Sequence, residues 1–226
     1  MTAIISAWFG GYQHEPKPLP KQDGVTEAIL VSDEDVSVDG WTTVVMDLGP
    51  PRMASKIVKC LPEFWTDESI VIWIDAQVEV VSPLFAKHCL AAARGRDVAV
   101  LRHPWRDSII DEEFAGRTDG RGRFGKDRTQ RQLEHYLQLG HPHDWGLYWT
   151  SILLRRMTSR ICELGRMWLS EQRRWTTFDQ LSFPYVCRLH AGRPQEIPYP
   201  HEYIRIRGYP PEAAAEEAEA GEQAED

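Results

Sequence analysis

Five short runs rich in Ile, Val and aromatic residues punctuate the first hundred residues: TAIISAWF (2–9), EAILVS (27–32), WTTVVM (41–46), SIVIWI (69–74) and DVAVLR (97–102). Gly, Asp or Pro bounds each run, as expected of strands. Two segments of helical spacing, ASKIVKCLPEF and PLFAKHCLAAARG, fall among them, the second with Pro83 near its start and Gly95 at its end. A chain that alternates in this way predicts an α/β fold, a mainly parallel sheet flanked by helices.

After residue 102 the rhythm changes. Residues 117–128, rich in Gly, Arg and Lys, predict a mobile loop that closes over phosphates or simply lies on the surface. QRQLEHYLQL reads as a helix stopping at Gly140, GLYWTSILLRR as a strand, and MTSRICELGRMWLSEQ and TTFDQLSFPYVCRL as helices. From Gly192 onward the chain is proline-rich and reads as irregular. With 226 residues there is room for one sizeable core, so a single domain over 1–207 is expected, followed by an acidic disordered tail over 208–226. Seven acids and no base in the last fifteen residues account for most of the formal charge of −8. The body is thus nearly neutral, without the basic excess of a general nucleic-acid binder. Cys60, Cys89, Cys162 and Cys187 form no zinc spacing and read as reduced thiols. No run approaches the roughly 20 apolar residues of a membrane-spanning helix, and MTAIISAWF reads as a first strand and not a leader, so a soluble, cytoplasmic protein is expected. A hydrolase is disfavoured because no G-x-S-x-G elbow occurs.

Asp75 interrupts the otherwise apolar run VIWIDAQVEVV. A buried carboxylate is costly without a partner or an opening to solvent. In a parallel sheet, strand ends face the ligand cleft, and Asp33 and Asp75 both follow predicted strands. A turn or cap role is the plain alternative. Lys56 and Lys59 lie on the preceding helix, where Lys59 reads as part of a solvated face. Thr177 to Gln180 has the spacing of a capping box, which would leave Asp179 only a helix-dipole role. His141 and His143 read as ordinary loop histidines.

The setting WIDAQVEVVSPL resembles that of GT-A glycosyltransferases, in which an Asp-x-Asp pair holds a divalent cation on the donor diphosphate. Here the second acid's place is taken by Gln77, a weaker, uncharged ligand. The ordered set FGGYQHEP, ILVSDED, GWTTVV, SKIVKCLP, WIDAQVEV, LRHPWRDSIIDEEFA, QLEHYLQLGHP, GLYWTSILLRR and WLSEQRRWTTFDQLSFPYV resembles, over about residues 5–186, the glycosyltransferase-like family typified by plant seed-mucilage and turgor-regulation proteins. Many relatives read RDQLSF where this chain has Phe178 before Asp179.

The resemblance implies a GT-A-like (Rossmann-like) domain moving a sugar from a nucleotide-sugar donor, a UDP-sugar by expectation, to a hydroxyl acceptor with retention. Phe9, Gly10, Gly11 and Asp33 would take base and ribose; Lys56, His103 and Arg106 would take diphosphate or sugar; Glu112 would bind substrate. Asp179 and Gln180 would face the transferred sugar, and Glu113 would orient the acceptor. Asp75, with His201, would hold Mn2+ or Mg2+. The acceptor stays open among protein, glycan, lipid headgroup and modified nucleobase, and the oligomeric state is not legible. Two rivals remain: a non-catalytic carbohydrate-binding relative that lost the metal acid, and a nucleotidyltransferase, which would release pyrophosphate.

Overall fold

The computed structural model describes residues 1–11, 15–118 and 125–206. The acidic tail and residues 119–124 of the Gly/Arg loop expected over 117–128 lie outside the described residues, and at the described ends of that expected loop residues 117–118 and 126–128 are helical.

The five apolar runs form strands β1 (Thr2–Trp8), β2 (Val25–Ser32), β3 (Thr42–Val45), β4 (Ile70–Ile74) and β6 (Val98–Arg102). Four further strands complete the pattern: β7 (Tyr148–Arg156), β8 (Gln195–Ile197) and, outside the main sheet, β5 (Val78–Val80) paired with β9 (Ile204–Ile206). The main sheet has seven strands in the order β3-β2-β1-β4-β7-β6-β8. It is parallel except at β7, which runs antiparallel to both β4 and β6. The stretch after Gly192 is therefore less irregular than its prolines predict, because β8 adds a sheet edge and β9 covers β5.

Neighbouring residues on the central strands serve opposite faces, the period of two that a pleated strand imposes. Ile5, Val71, Trp73, Val100 and Leu153 enter one core cluster, and Ile4, Ile72, Ile74, Ala99 and Leu154 enter the other. Helices α1 (Pro51–Cys60), α4 (Lys126–Gln138), α5 (Ser159–Arg174) and α6 (Asp179–His190) contribute to the first cluster, and α2 (Phe85–Ala92) to the second. The strands are buried on both sides, which explains why they read as nearly continuous apolar runs. A helix absent from the sequence expectation, α3 (Ile109–Thr118), packs on α4 and α6. The four cysteines are free thiols, and burial pushes those of Cys60 and Cys89 up to about 12. No helix among the described residues is long and apolar enough to cross a membrane.

The end of α1 is set by two contacts. Arg155 on β7, fully buried, donates from Nη2 to the Lys59 carbonyl at 2.5 Å and from Nη1 to the Cys60 carbonyl at 3.3 Å. A cation at a helix C-terminus is stabilised there by the orphan carbonyls and the helix dipole. Gly165 on α5 admits the same carbonyl closely: a Cβ at this position would lie 2.1 Å from the Cys60 oxygen. Gly165→Ala therefore sets a helix-propensity gain of about 1 kcal/mol against a backbone clash. The clash should win, with a net loss of about 1–3 kcal/mol read as a lower urea midpoint at unchanged slope; unchanged or higher stability would show that α1 does not rest on α5 here.

Candidate functional site

Strands β1, β2, β4 and β6 point the same way, so their C-terminal ends share one edge of the sheet with the start of β7. Asp75 follows β4 directly, and its backbone N–H donates to the Ser151 carbonyl at 2.9 Å. Opposite, β7 is irregular: Val100 pairs with Leu153 but Leu101 with Trp149, leaving residues 150–152 as a bulge. Bulges re-aim side chains. This one allows Thr150 to face α1 while Trp149 packs on the opposite core.

The partner of Asp75 is Lys59. Its ammonium, 1% exposed, donates to Asp75 Oδ1 at 3.2 Å, Thr150 Oγ1 at 3.0 Å and Asp179 Oδ2 at 2.8 Å. Three N–H donors meet three oxygens, which fulfils an ammonium completely. The rings of Trp73 and Trp168 add faces 5.6 and 5.8 Å from the same nitrogen. The solvated face expected for Lys59 is thus corrected. Lys56, nearly one turn earlier, pairs with Asp179 Oδ2 at 2.7 Å, and Thr150 Oγ1 donates to that oxygen at 3.0 Å. Trp73 Nε1–H donates to Asp75 Oδ1 at 2.7 Å.

Asp179 opens α6, whose N-cap is Phe178 with no side-chain cap, so the capping-box reading of Thr177 to Gln180 does not hold. The approach to the helix is anchored instead by Thr176. Its hydroxyl donates to Gln132 Oε1 at 2.7 Å, and Gln132 leads through Tyr136 to Glu171. Trp168 Nε1 donates to the Asp179 carbonyl at 3.3 Å. Gln180 follows, half-buried, at the second position of the helix.

Burial alone would lift the Asp179 carboxyl, but Lys56 and Lys59 hold it well below the usual carboxylate range. Burial likewise disfavours the Lys59 ammonium, and Asp179 and Asp75 more than offset it, raising its pKa above 10.5. Both groups are therefore charged across the physiological range.

A second cluster follows β6 on the same edge. The backbone N–H groups of Trp105 and Arg106 donate to His103 Nδ1 at 3.3 and 3.1 Å, and Arg106 Nη2 lies 3.1 Å from the other ring nitrogen, Nε2. Burial, assisted by Arg106, lowers the His103 pKa to about 3, so the ring is neutral. Arg106 Nε donates to Glu112 Oε2. Burial pushes the Glu112 carboxyl up, and among the smaller influences Asp179 pushes in the same direction, which ties this cluster electrostatically to the lysines' site. Glu113, one residue on, turns into the α3–α4 packing, where it accepts from Thr129 Oγ1 at 3.2 Å.

The other expected residues are placed as follows. Asp33 accepts the Gly10 N–H on both oxygens, at 3.0 and 2.9 Å, and a Cβ on Gly10 (φ +54°) would meet Pro51 at 2.5 Å. Gly10, Gly11 and Asp33 are exposed, whereas Phe9 is 2% exposed and gives its ring to the core, not to a ligand face. Gln77 Nε2 donates to Ser151 Oγ at 3.3 Å. His201 packs at a tilt against Tyr199 beyond Ile204, which pairs with Val80 at the end of β5 away from Asp75. Among the described residues no three His, Cys, Asp or Glu side chains gather as a metal site. The donor set around Asp75 therefore does not fit a divalent cation: its acids are already matched by two ammonium groups. Thr150, Trp73 and the burial of Lys59 were missed from sequence. The unexplained Asp75 was itself the available signal, since a lone acid in an apolar strand needs a cation and the preceding helix supplies one.

Asp179→Asn or Lys59→Met strands a buried charge, and each should cost about 3–5 kcal/mol. Arg102→Ala, which breaks only the exposed pair with Asp107, should cost about 0–1 kcal/mol. Urea titration of the three variants tests this, and equal effects would show that the buried quartet carries no special weight. His103 is protonated near pH 6.5 when unfolded but only near 3 when folded, so folding stability should fall as pH drops through that window. Part of that slope should vanish in His103→Asn, measured as melting temperature against pH.

Residues 21–198 match the family model described as TOD1/MUCI70, glycosyltransferase-like domain. No curated protein matches the chain.

Proposed function

Because the chain belongs to the TOD1/MUCI70 glycosyltransferase-like domain family, we propose that it transfers a sugar from a nucleoside diphosphate donor, a UDP-sugar in the first instance, to an acceptor hydroxyl. The observation that carries this reading is the quartet Lys56, Lys59, Asp75 and Asp179 at the C-terminal edge of a mainly parallel sheet, the edge at which such sheets receive ligands.

The nucleoside would lie at the ends of β1 and β2, by Gly10 and Asp33. Beside them, Trp8, Pro16, Pro18 and Val36 line an open cavity of about 470 Å³ that suits a flat base. From there, Arg52, Lys56 and Lys59 follow one face of α1 at i, i+4 and i+7. That face leads toward the quartet, so the diphosphate would run along it and leave the sugar beside Asp179 and Gln180. The acceptor would enter by the groove of about 840 Å³ lined by Arg102, His103, Trp105, Arg106 and Tyr199.

Bond cleavage loads negative charge on the departing diphosphate, and fixed positive charge lowers that barrier. Asp179, held ionised by two lysines, is a poor proton acceptor. Its role would be to fix the ammonium groups and the sugar, while the departing phosphate oxygen takes the acceptor proton on the same face, which gives retention. A second reading, donor binding without turnover, draws support from the saturation of both acids by lysine.

Calorimetric titration of UDP tests the donor site: Lys56→Ala should weaken binding by about tenfold, the loss of one charge-assisted contact. Folded protein that binds no UDP would refute the uridine donor. Incubation with nucleotide sugars and mixed acceptors separates the remaining readings, because release of a nucleoside diphosphate with sugar transfer supports transfer, pyrophosphate indicates nucleotidyl transfer, and binding without product indicates a non-catalytic relative.

A further inference from the structure

The donor set at Asp75 has the shape of a cation site whose cation is covalently attached to the chain. Asp75 Oδ1, Asp179 Oδ2 and the Thr150 hydroxyl come from three separate elements and converge on one point, 3.2, 2.8 and 3.0 Å from the Lys59 nitrogen. An all-oxygen set of this kind, two carboxylates and a hydroxyl, is what Mg2+ or Mn2+ takes as ligands, at about 2.0–2.2 Å. The spacing here is that of N–H···O bonds, and it is filled by an ammonium 1% exposed.

Charge counting gives the same answer. Lys56 and Lys59 balance Asp75 and Asp179, so an entering divalent ion would find no uncompensated acid. It would have to drive the Lys59 ammonium into surroundings where a charge without partners is costly. The place where a second acid would assist the metal is held by Gln77, whose amide nitrogen is given to Ser151. Arg155, buried behind α1, holds the carbonyl of Lys59 itself, so the helix end cannot readily swing the side chain away.

We propose that the Lys59 ammonium stands in the place of the divalent cation, and that the site receives its donor without a metal. The inference rests on the donor reading above for its second half only. Lys59 neutralises the two acids from inside, and Lys56, 14% exposed at the open side of the quartet, meets the diphosphate. The site's positive charge is then permanent and does not depend on a metal-nucleotide complex.

Mn2+ titration followed by electron paramagnetic resonance tests the first half with the metal alone. Wild-type protein without UDP should leave the free Mn2+ signal as strong as Asp75→Asn protein does. Lys59→Ala, which leaves Asp75 and Asp179 facing a vacated point, should take up Mn2+ and gain melting temperature from it, and Lys59→Ala/Asp75→Asn should lose both effects. Mn2+ uptake by the wild type that Asp75→Asn abolishes would overturn the proposal, and this arm decides even if Lys59→Ala fails to fold. A folded Lys59→Ala that takes up no Mn2+ would overturn it too. For the second half, UDP should bind in EDTA at least as tightly as in MnCl2, and a requirement for Mn2+ would refute metal-free donor binding. If UDP binds in neither buffer while the Mn2+ contrast between wild type and Lys59→Ala holds, the donor reading fails and the place of Lys59 stands.

Discussion

One buried ammonium joins the parts of this molecule that meet at the ligand edge. Lys59 comes from α1, Asp75 from the end of β4, Thr150 from the bulge of β7 and Asp179 from the first residue of α6. These elements are far apart in sequence and would each present an unsatisfied polar group if separated. Brought together, they satisfy one another within hydrogen-bonding distance, and the penalty for burying each charge is offset only while all remain in place. The bulge in β7 and the late start of α6 follow from this constraint, since a regular ladder would not deliver Thr150 and a capped helix start would not deliver Asp179.

A second buried cation supports the first. Arg155 has no carboxylate partner in hydrogen-bonding reach among the described residues and instead uses the last carbonyls of α1, including that of Lys59. Behind it Gly165 lets α5 approach the same turn. The side chain of Lys59 is thus positioned from the ligand edge by oxygens and its backbone from the core by a guanidinium. Such support from behind is what keeps a charged group at a ligand edge from relaxing when a ligand arrives.

Much of this was legible in the sequence and part of it was not. Strands β1, β4 and β6 were legible because a strand buried on both faces needs apolar residues at nearly every position, and this pattern survives any tertiary detail. By contrast, β5, β8 and β9 are three residues each and get their definition from pairing partners remote in the chain, which local pattern cannot supply. The helix α3 was hidden by DEEF, whose two glutamates look solvated, yet Glu112 and Glu113 are 2% and 1% exposed because Arg106 and Thr129 receive them. Lys59 was misjudged for a similar reason. On its own helix it is one cation among several, and only the lone acid of the neighbouring strand reveals that it faces inward. Asp75 and Asp179 were both singled out from sequence and do meet at one nitrogen; Phe9 and His201 were singled out too, but one lies in the core and the other beyond the far end of β5.

What the lysine–aspartate quartet supplies at this edge is fixed charge. Asp179 is held ionised far below the range in which a carboxylate accepts protons at neutral pH. His103 has a neutral ring, but both its nitrogens face N–H groups, two of the backbone at Nδ1 and the Arg106 guanidinium at Nε2. Glu112 is lifted by burial, and one of its two oxygens accepts from Arg106. In a sugar transfer at this edge the base nearest the reacting carbon would be the oxygen of the departing diphosphate, which grows more basic as the bond breaks. An acceptor hydroxyl that delivers its proton there must approach from the leaving group's own face. The stereochemistry proposed for this site then follows from what its residues already spend their lone pairs on, and not from the presence of any dedicated catalytic base.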